Sequence, residues 1–192
     1  MNFFSKGIYW PLVAVFLAVL AGGGCSALRQ GGALPAEPKG GAFKKIAVLP
    51  FNNISGRKDA GSIVTNTYLT ELFKSNRFRV EEPGNILQFM MQERIGTIGE
   101  MEIERIRILG KRLKVDGVVA GTVEEFDDGR GGPPVVSVVA RLIDSESGRI
   151  VWSGQNKKRG DDYIIIFDFG EIRSATALAQ RVVREMISTI EW

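Results

Sequence analysis

The sequence predicts an α/β (α+β) fold, in which helices pack on a mixed β-sheet. Short β-branched and apolar runs alternate with amphipathic segments in the order β-α-β-α-α-β-β-β-α, and this alternation is typical of a sheet covered by helices. Three successive strands near the end of the chain indicate an antiparallel part of that sheet. The apolar fraction of 44% and the charged fraction of 24% match an ordinary globular domain, and they indicate neither disorder nor a multi-span membrane protein.

The first 24 residues have the pattern of a cleavable signal peptide. Lys6 precedes an uncharged, largely apolar run from Ile8 to Ala21, and three glycines follow that run. The run is shorter than the ~20 apolar residues that a helix needs to cross a bilayer. Its place at the start of the chain, before small residues, suits a signal that is removed after export. A short membrane-anchoring helix is the alternative interpretation.

Cys25 follows this segment directly and is the single cysteine of the chain, so no disulfide can form within it. The small residues and the cysteine resemble the lipobox of bacterial lipoproteins, and that resemblance implies that Cys25 carries a lipid. Because Ser26 rather than aspartate follows, the resemblance also implies transfer to the outer membrane. Residues 25–43 are rich in Gly, Ala and Pro and predict a flexible tether. Residues 44–192 are then the globular domain.

The first half of this domain predicts a strand, a helix, a second strand and a second helix. Lys44 to Phe51 is a β-branched and apolar run, and Asn52 to Gly56 is turn-prone, which indicates a buried strand and a loop. Between Asp59 and Ser75, apolar residues recur every three or four positions, as in an amphipathic helix. Phe78 to Glu82 alternates as a short strand, and Pro83 is suited to the first turn of the second helix. The apolar positions of that helix are Ile86, Leu87, Met90 and Met91.

The second half predicts a helix, three strands and a final helix. Met101 to Leu113 has helical apolar spacing among charged residues, and Val115 to Phe126 is a β-branched strand. Val135 to Asp144 and Arg149 to Ser153 are two alternating runs joined by a short turn with glycine, which predicts a hairpin. Ala175 to Ile190 carries one continuous apolar stripe, so this helix should close the core against the sheet.

The composition argues against most kinds of enzyme. The chain has no histidine and a single cysteine, so hydrolytic triads with histidine and Cys/His metal sites are excluded. No cofactor is predicted. The net charge of +3 comes from 25 basic and 22 acidic residues that are interspersed, so no strong field favours nucleic acid.

Carboxylates are the remaining candidates for chemistry. Pairs of them can act in glycoside hydrolysis or bind a hard cation. The spacing of these residues fits no calcium-loop pattern, so the favoured interpretation is that they are charges of solvated loops, without a metal or catalytic role. The residues are Asp127, Asp128, Asp161, Asp162 and Asp168.

The segment from Asp161 to Gly170 contains six large apolar residues among acids, five of them in succession. A further strand or a loop that covers the core is one interpretation. An exposed patch for a protein partner is the other, because aromatic side chains dominate such contacts. In that case the anchors are Tyr163, Phe167 and Phe169.

Three motifs resemble the CsgG-like group of periplasmic lipoproteins. They are Lys45-Ile-Ala-Val-Leu-Pro-Phe51, the strand from Leu113 to Val123, and the hairpin from Leu142 to Ser153. This group includes the curli secretion channel and the penicillin-binding protein activator LpoB, and it shares the fold of the TolB N-terminal domain. The resemblance implies that fold, over about residues 44–190.

The same resemblance implies a non-enzymatic lipoprotein on the periplasmic face of the outer membrane. Such a protein assembles with itself or docks on another envelope protein as an accessory component of an envelope or secretion complex. An LpoB-like activator of a peptidoglycan synthase is the alternative. The chain has no long pair of alternating, lipid-facing segments, which a membrane pore of the curli type requires, so we expect no pore from this chain alone.

Overall fold

The computed structural model describes residues 45–95, 101–165 and 169–190, and it contains the predicted elements in the predicted order. A two-residue strand and a short 3₁₀ helix, Gly160–Tyr163, were not predicted. The strands are β1 (Lys45–Val48), β2 (Asn52–Asn53), β3 (Arg79–Val80), β4 (Gly117–Asp127), β5 (Val135–Asp144) and β6 (Ile150–Arg159). The helices are α1 (Ala60–Ser75), α2 (Pro83–Gln92), α3 (Ile103–Leu113) and α4 (Ala175–Ser188).

The six strands form one mixed sheet with the order β3-β1-β4-β5-β6, in which β2 also pairs with β4. β1 runs parallel to both β3 and β4. β5 is antiparallel to both β4 and β6, so the three long strands are antiparallel to one another in succession. The predicted α/β fold with a mixed sheet is therefore confirmed, and so is the antiparallel arrangement of the last three strands.

One face of the sheet carries the larger core, which α1 and α4 close. Successive side chains of a strand point to opposite faces, and Ile46 and Val48 of β1 belong to this core together with Val119 of β4. Both helices present the apolar stripes that the sequence predicts. The buried helical residues here include Val64, Tyr68 and Leu72 of α1 and Leu178, Val182, Val183 and Met186 of α4.

The opposite face is covered by α2 and α3 over the parallel part of the sheet. Ala47 and Leu49 point to this side, where Ile86 and Phe89 of α2 and Leu109 of α3 pack on them. α2 contacts β1, and α3 contacts β4. Toward the other edge, this face is polar and open to solvent. Its exposed β6 residues are Ser153, Gln155, Lys157 and Arg159.

Local chemistry fixes the ends of the helices. The Ser174 hydroxyl caps α4 by accepting a hydrogen bond from its first turn. Arg77 donates hydrogen bonds to the carbonyl oxygens of Ile187 and Ile190, and a cation is favourable at a helix C-terminus. α1 ends at Asn76, which adopts the left-handed conformation.

Among the described residues, no helix combines the length and the hydropathy that crossing a membrane requires.

Tyr68 gives a test of how the larger core is packed. Its side chain is fully buried, and its hydroxyl has no hydrogen-bond partner among the described residues. Since an unpaired buried hydroxyl costs free energy, we expect Tyr68→Phe to leave the free energy of unfolding unchanged or to raise it by up to about 1 kcal/mol. Urea unfolding followed by circular dichroism measures this change.

Tyr68→Ala is the companion variant for that measurement. Loss of the buried ring, which lies 5.3 Å from the ring of Phe51, should lower the free energy of unfolding by about 3–5 kcal/mol. A clear loss of stability in Tyr68→Phe would contradict the expectation, because it would mean that the hydroxyl makes a stabilising bond.

Candidate functional site

The acid-flanked apolar segment forms a closed loop after the last strand, residues 160–172, which we call the apolar loop. Its two ends meet, because the Ile172 N–H donates a hydrogen bond of 3.0 Å to the Gly160 carbonyl oxygen. Gly160 in turn donates its N–H to the carbonyl oxygen of Pro134 at 2.8 Å. A Cβ atom on residue 160 would collide with the Ile172 carbonyl oxygen. Only glycine therefore allows this close approach of the two ends.

Tyr163, one of the predicted partner anchors, holds the base of the apolar loop against the domain. Its ring is half-buried against the larger core, and its hydroxyl donates a hydrogen bond of 3.0 Å to Glu185 of α4. The Arg181 guanidinium lies 5.2 Å from the ring centre, in cation–π range. Burial and the neighbouring carboxylate raise the pKa of Tyr163 to about 12. Its described contacts are thus made within its own domain.

The tip of the apolar loop is exposed. The Ile165 N–H donates a hydrogen bond of 2.8 Å to the Phe169 carbonyl oxygen, and Gly170 has a φ of +100° that favours glycine. The exposed fractions of Ile165 and Phe169 are 77% and 80%. Phe167, the third predicted anchor, lies outside the described residues, as does Asp168. The segment therefore combines a base packed on the core with an exposed apolar tip.

The two acids at the start of the loop have structural partners. The Asp162 carboxylate accepts a hydrogen bond of 2.7 Å from the backbone N–H of Arg159. The Asp161 carboxylate accepts one of 3.1 Å from the Arg159 guanidinium. These contacts fix the turn out of β6.

Asp127 and Asp128 lie in another loop and also have structural partners. Asp127 accepts a hydrogen bond of 2.9 Å from the backbone N–H of Gly129, and Asp128 pairs with Arg57. The Arg57 guanidinium also lies 4.9 Å from the centre of the Phe126 ring, so it joins the loop after β2 to the end of β4. Among the described residues, no group of three or more His, Cys, Asp or Glu side chains could hold a metal ion.

Gly160 tests whether the base of the apolar loop is closed. We expect Gly160→Ala to separate the two ends, because the added Cβ meets the backbone of residue 172, and to raise the rate of proteolytic cleavage within the loop. Limited proteolysis followed by mass spectrometry locates the cleavage. Gly131→Ala is the matched control, since a Cβ there has no neighbour within 4 Å. Equal cleavage of the two variants would contradict the closed base.

A second exposed apolar surface lies on α2. No residue from Pro83 to Gln92 is charged, and Leu87 and Met91 are 51% and 75% exposed while Phe89 is buried. We call the exposed pair the α2 stripe. The apolar spacing of this helix alone does not separate the exposed pair from the buried residues, so the stripe was not predicted. The absence of charged residues from this helix could have indicated a contact surface, because charged residues are depleted and methionine is enriched at protein interfaces.

Comparisons with known proteins give the fold. No protein-family model matches the sequence, and no curated protein matches it. The PelC dodecamer from Paraburkholderia phytofirmans gives a TM-score of 0.55 at 19% identity, over 80% of this chain and 91% of that one. Lipoprotein GNA1162 from Neisseria meningitidis gives 0.54 at 22% identity, over 77% of this chain and 99% of that one.

The C-terminal domain of LpoB from Escherichia coli is more distant. Its TM-score is 0.48 at 14% identity, over 62% of this chain and 85% of that one. A relation to the CsgG-like group is not shown. This chain has the same α/β fold as PelC and GNA1162, and identities below 25% establish the fold alone.

Proposed function

We propose that this protein is a non-enzymatic accessory lipoprotein, held at the periplasmic face of the outer membrane by a lipid on Cys25. The observation that carries the proposal is the lone cysteine directly after a signal-like apolar run. The shared fold with GNA1162, which is described as a lipoprotein, supports it. The lack of histidine in the chain and the structural partners of four of the five candidate aspartates support a role without catalysis.

The proposed activity is assembly, either with further copies of the chain or with another envelope protein. The shared fold with PelC, whose structure is a dodecamer, supports self-assembly. The apolar loop supplies a contact surface, since Phe169 is exposed and its carbonyl oxygen accepts a hydrogen bond from the Ile165 N–H. Tyr163 and Phe167 belong to the same proposed surface. Tyr163 serves there to position the loop through Glu185.

Replacement of Cys25 tests the anchor. The native chain should be found in the outer-membrane fraction, and its mass should equal that of residues 25–192 plus acyl groups. Cys25→Ser should move the protein out of that fraction, because the attachment point for the lipid is lost. Identical fractionation of both proteins, or a native mass without acyl groups, would overturn the proposed anchor.

Cross-linking in intact cells tests the proposed partner contact. A photo-reactive amino acid at Phe169 should give an adduct with one envelope protein or with a second copy of the chain. The same group at exposed Lys74 of α1 is the control and should give no such adduct. If neither position gives a specific adduct, an assembly role for the loop is excluded.

Activation of a peptidoglycan synthase, as by LpoB, is the alternative that the sequence resemblance implies. It predicts a faster polymerisation of glycan chains when the purified domain is added to a synthase from the same cells. An unchanged rate with every such synthase would exclude it. Phe169→Ser provides the control, because an activator that acts through the apolar loop loses its effect with this change.

A further inference from the structure

The last strand of the sheet, β6, has one edge without a neighbouring strand. β6 ends the order β3-β1-β4-β5-β6, and among the described residues it pairs with β5 alone. From Trp152 to Arg159 this pairing is regular, because the register shift between the two strands lies before Trp152. The regular stretch contains no proline. An edge strand of this kind is a template for pairing with a further strand.

The hydrogen bonds of β6 identify the backbone groups on this outer edge. Gly160, directly after the strand, donates its N–H to the carbonyl oxygen of Pro134, directly before β5. Hydrogen-bonded positions alternate in an antiparallel pair, so the even-numbered residues of β6 direct their N–H and C=O groups to β5. Ser153, Gln155 and Lys157 therefore direct theirs away from β5. We call the six N–H and C=O groups of these three residues the β6 edge.

The next odd position, Arg159, confirms this orientation. Its N–H donates to the carboxylate of Asp162 and not to β5. The side chains of Ser153, Gln155 and Lys157 are exposed, so no described element covers the strand on their side. The β6 edge presents donors and acceptors at the fixed spacing of a strand, and an extended strand is the group that matches this spacing.

The charges beside the β6 edge are balanced within the chain. Lysine on an edge strand opposes pairing by its charge, but here each of the three cations that end β6 is paired with a carboxylate. The pairs are Lys157 with Glu125, Lys158 with Glu185, and Arg159 with Asp161. No excess charge therefore favours a strongly acidic or strongly basic peptide. A second copy carries the same balance and meets no net repulsion.

We propose that β6 of a second copy pairs antiparallel with the β6 edge, so that two sheets join into one across a two-fold axis at Gln155. This inference rests on the proposed self-assembly and names its contact. The contact uses the same surface on both copies, so it is complete with two copies. Any larger assembly then needs a second, different contact.

The axis at Gln155 is the register that bonds the whole β6 edge. Ser153 of each copy pairs with Lys157 of the other, and the two Gln155 residues pair with each other, so all six groups of each edge find a partner. No two like charges are directly opposite in this register, which would be destabilising. The two Lys157 residues lie four residue spacings, about 13 Å, apart along the strands.

The side chains at the two ends of β6 also fit this orientation. Val151 is exposed and Trp152 is half-buried at the first end. In the antiparallel pair, they lie opposite Arg159 and Lys158 of the second copy. The aliphatic stems of these cations can cover apolar side chains while their charged heads stay in water. A parallel pair would instead place the cations of both copies side by side.

Cysteine substitution in the full chain, in intact cells, tests the pairing. The Cα atoms of the two Gln155 residues are about 5.5 Å apart in the proposed pair, within the ~4.4–6.8 Å of a disulfide. Gln155→Cys should therefore give a dimer, linked by a disulfide or by a short bifunctional thiol reagent. Ser153→Cys is the matched control, because two Ser153 residues are about 13 Å apart, and it should give at least about tenfold less dimer. The native chain, whose Cys25 is its single cysteine, gives the background.

Co-expression of two single variants tests the register. Ser153→Cys and Lys157→Cys should each give little dimer alone, since each position is distant from its own copy. Together they should give a mixed dimer, because Ser153 faces Lys157 of the second copy.

Proline on the outer edge tests whether the backbone makes the contact. Ser153→Pro, added to Gln155→Cys, removes an outward N–H and leaves the hydrogen bonds to β5 in place. The amount of dimer should fall at least about tenfold. Ser153→Ala keeps the N–H and should preserve the dimer. Circular dichroism of the purified variants should show the same fold for both.

Three results would overturn the proposal. They are the absence of a Gln155→Cys dimer, equal amounts of dimer from Gln155→Cys and the two single control variants, and a Gln155→Cys adduct with a different envelope protein. The last result would support the accessory function and refute only the second copy as occupant. Fractionation of the Cys25 variant tests the anchor separately, so failure of the anchor and failure of the β6 pair are distinguishable.

Discussion

Replacing Gly121 with valine is expected to lower the free energy of unfolding by about 3 kcal/mol, the upper end of the usual cost of overpacking a core. Gly121 lies in the middle of β4, and the buried ring of Phe51 packs directly against its Cα. A Cβ on residue 121 would collide with that ring and would lie 2.6 Å from the Val139 carbonyl oxygen. Because the oxygen belongs to the backbone of β5, relief of the collision requires a shift of the central strands.

Thermal and urea unfolding of the Gly121→Val variant measure this loss. Gly84→Ala is the matched control, because a Cβ at position 84 has no neighbour within 4 Å and alanine is a better helix former than glycine. The control should keep or slightly raise the native stability. Native-like stability of Gly121→Val would contradict the packing of Phe51 on β4.

Stability should fall between pH 4.5 and pH 2, and Glu71 should account for much of the fall. Its carboxylate is buried between α1 and α4 and accepts hydrogen bonds of 2.9 Å each from Arg184, Gln180 and Lys74. These partners, Arg184 first, lower the pKa of Glu71 to about 2 from an ordinary 4.5. A carboxylate with a lowered pKa stabilises the fold above its unfolded pKa and loses this contribution as pH falls through the folded pKa.

Glu71→Gln isolates this contribution. At pH 7 the variant should be less stable than the native chain by about 2 kcal/mol, and the difference should shrink toward zero as the pH falls to about 2, where the native carboxyl takes up its proton. Urea unfolding across this pH range measures both values. Glu146→Gln, at an exposed turn position, should leave the pH profile unchanged. A difference that persists undiminished at pH 2 would show that Glu71 acts through packing and not through its charge.

Most of the fold could be predicted because strong periodicity marks most of its elements. The stripes of α1 and α4 and the alternation in β5 come from burial on one side, and burial is what the apolar pattern records. β6 was predicted only as Arg149 to Ser153, whereas the strand is Ile150–Arg159. Its second half is polar and lies at an edge, so pairing with β5 decides its conformation and no local pattern indicates it. The two residues of β2, Asn52 and Asn53, are also polar, so they were predicted as part of a turn although they pair with β4.

The candidate surface was predictable in part. The apolar run with its aromatic residues showed that the segment from Asp161 to Gly170 is unusual, but the sequence left both interpretations open. In the structure, Tyr163 packs on the larger core, as in a loop that covers the core, whereas Phe169 is exposed, as in a contact patch. That division depends on the contact with Glu185, which lies 22 residues further along the chain. A partner so distant in sequence leaves no local signal.

The position of β1 has a consequence for the order of folding. β4, β5 and β6 follow one another along the chain, so their pairing closes only short loops, which form quickly. β1 lies between β3 and β4, and its first residue, Lys45, bonds to Asp116, 71 residues away. Closure of this long loop is slow. We therefore expect the antiparallel strands to pair first and β1, although it is made before them, to dock late.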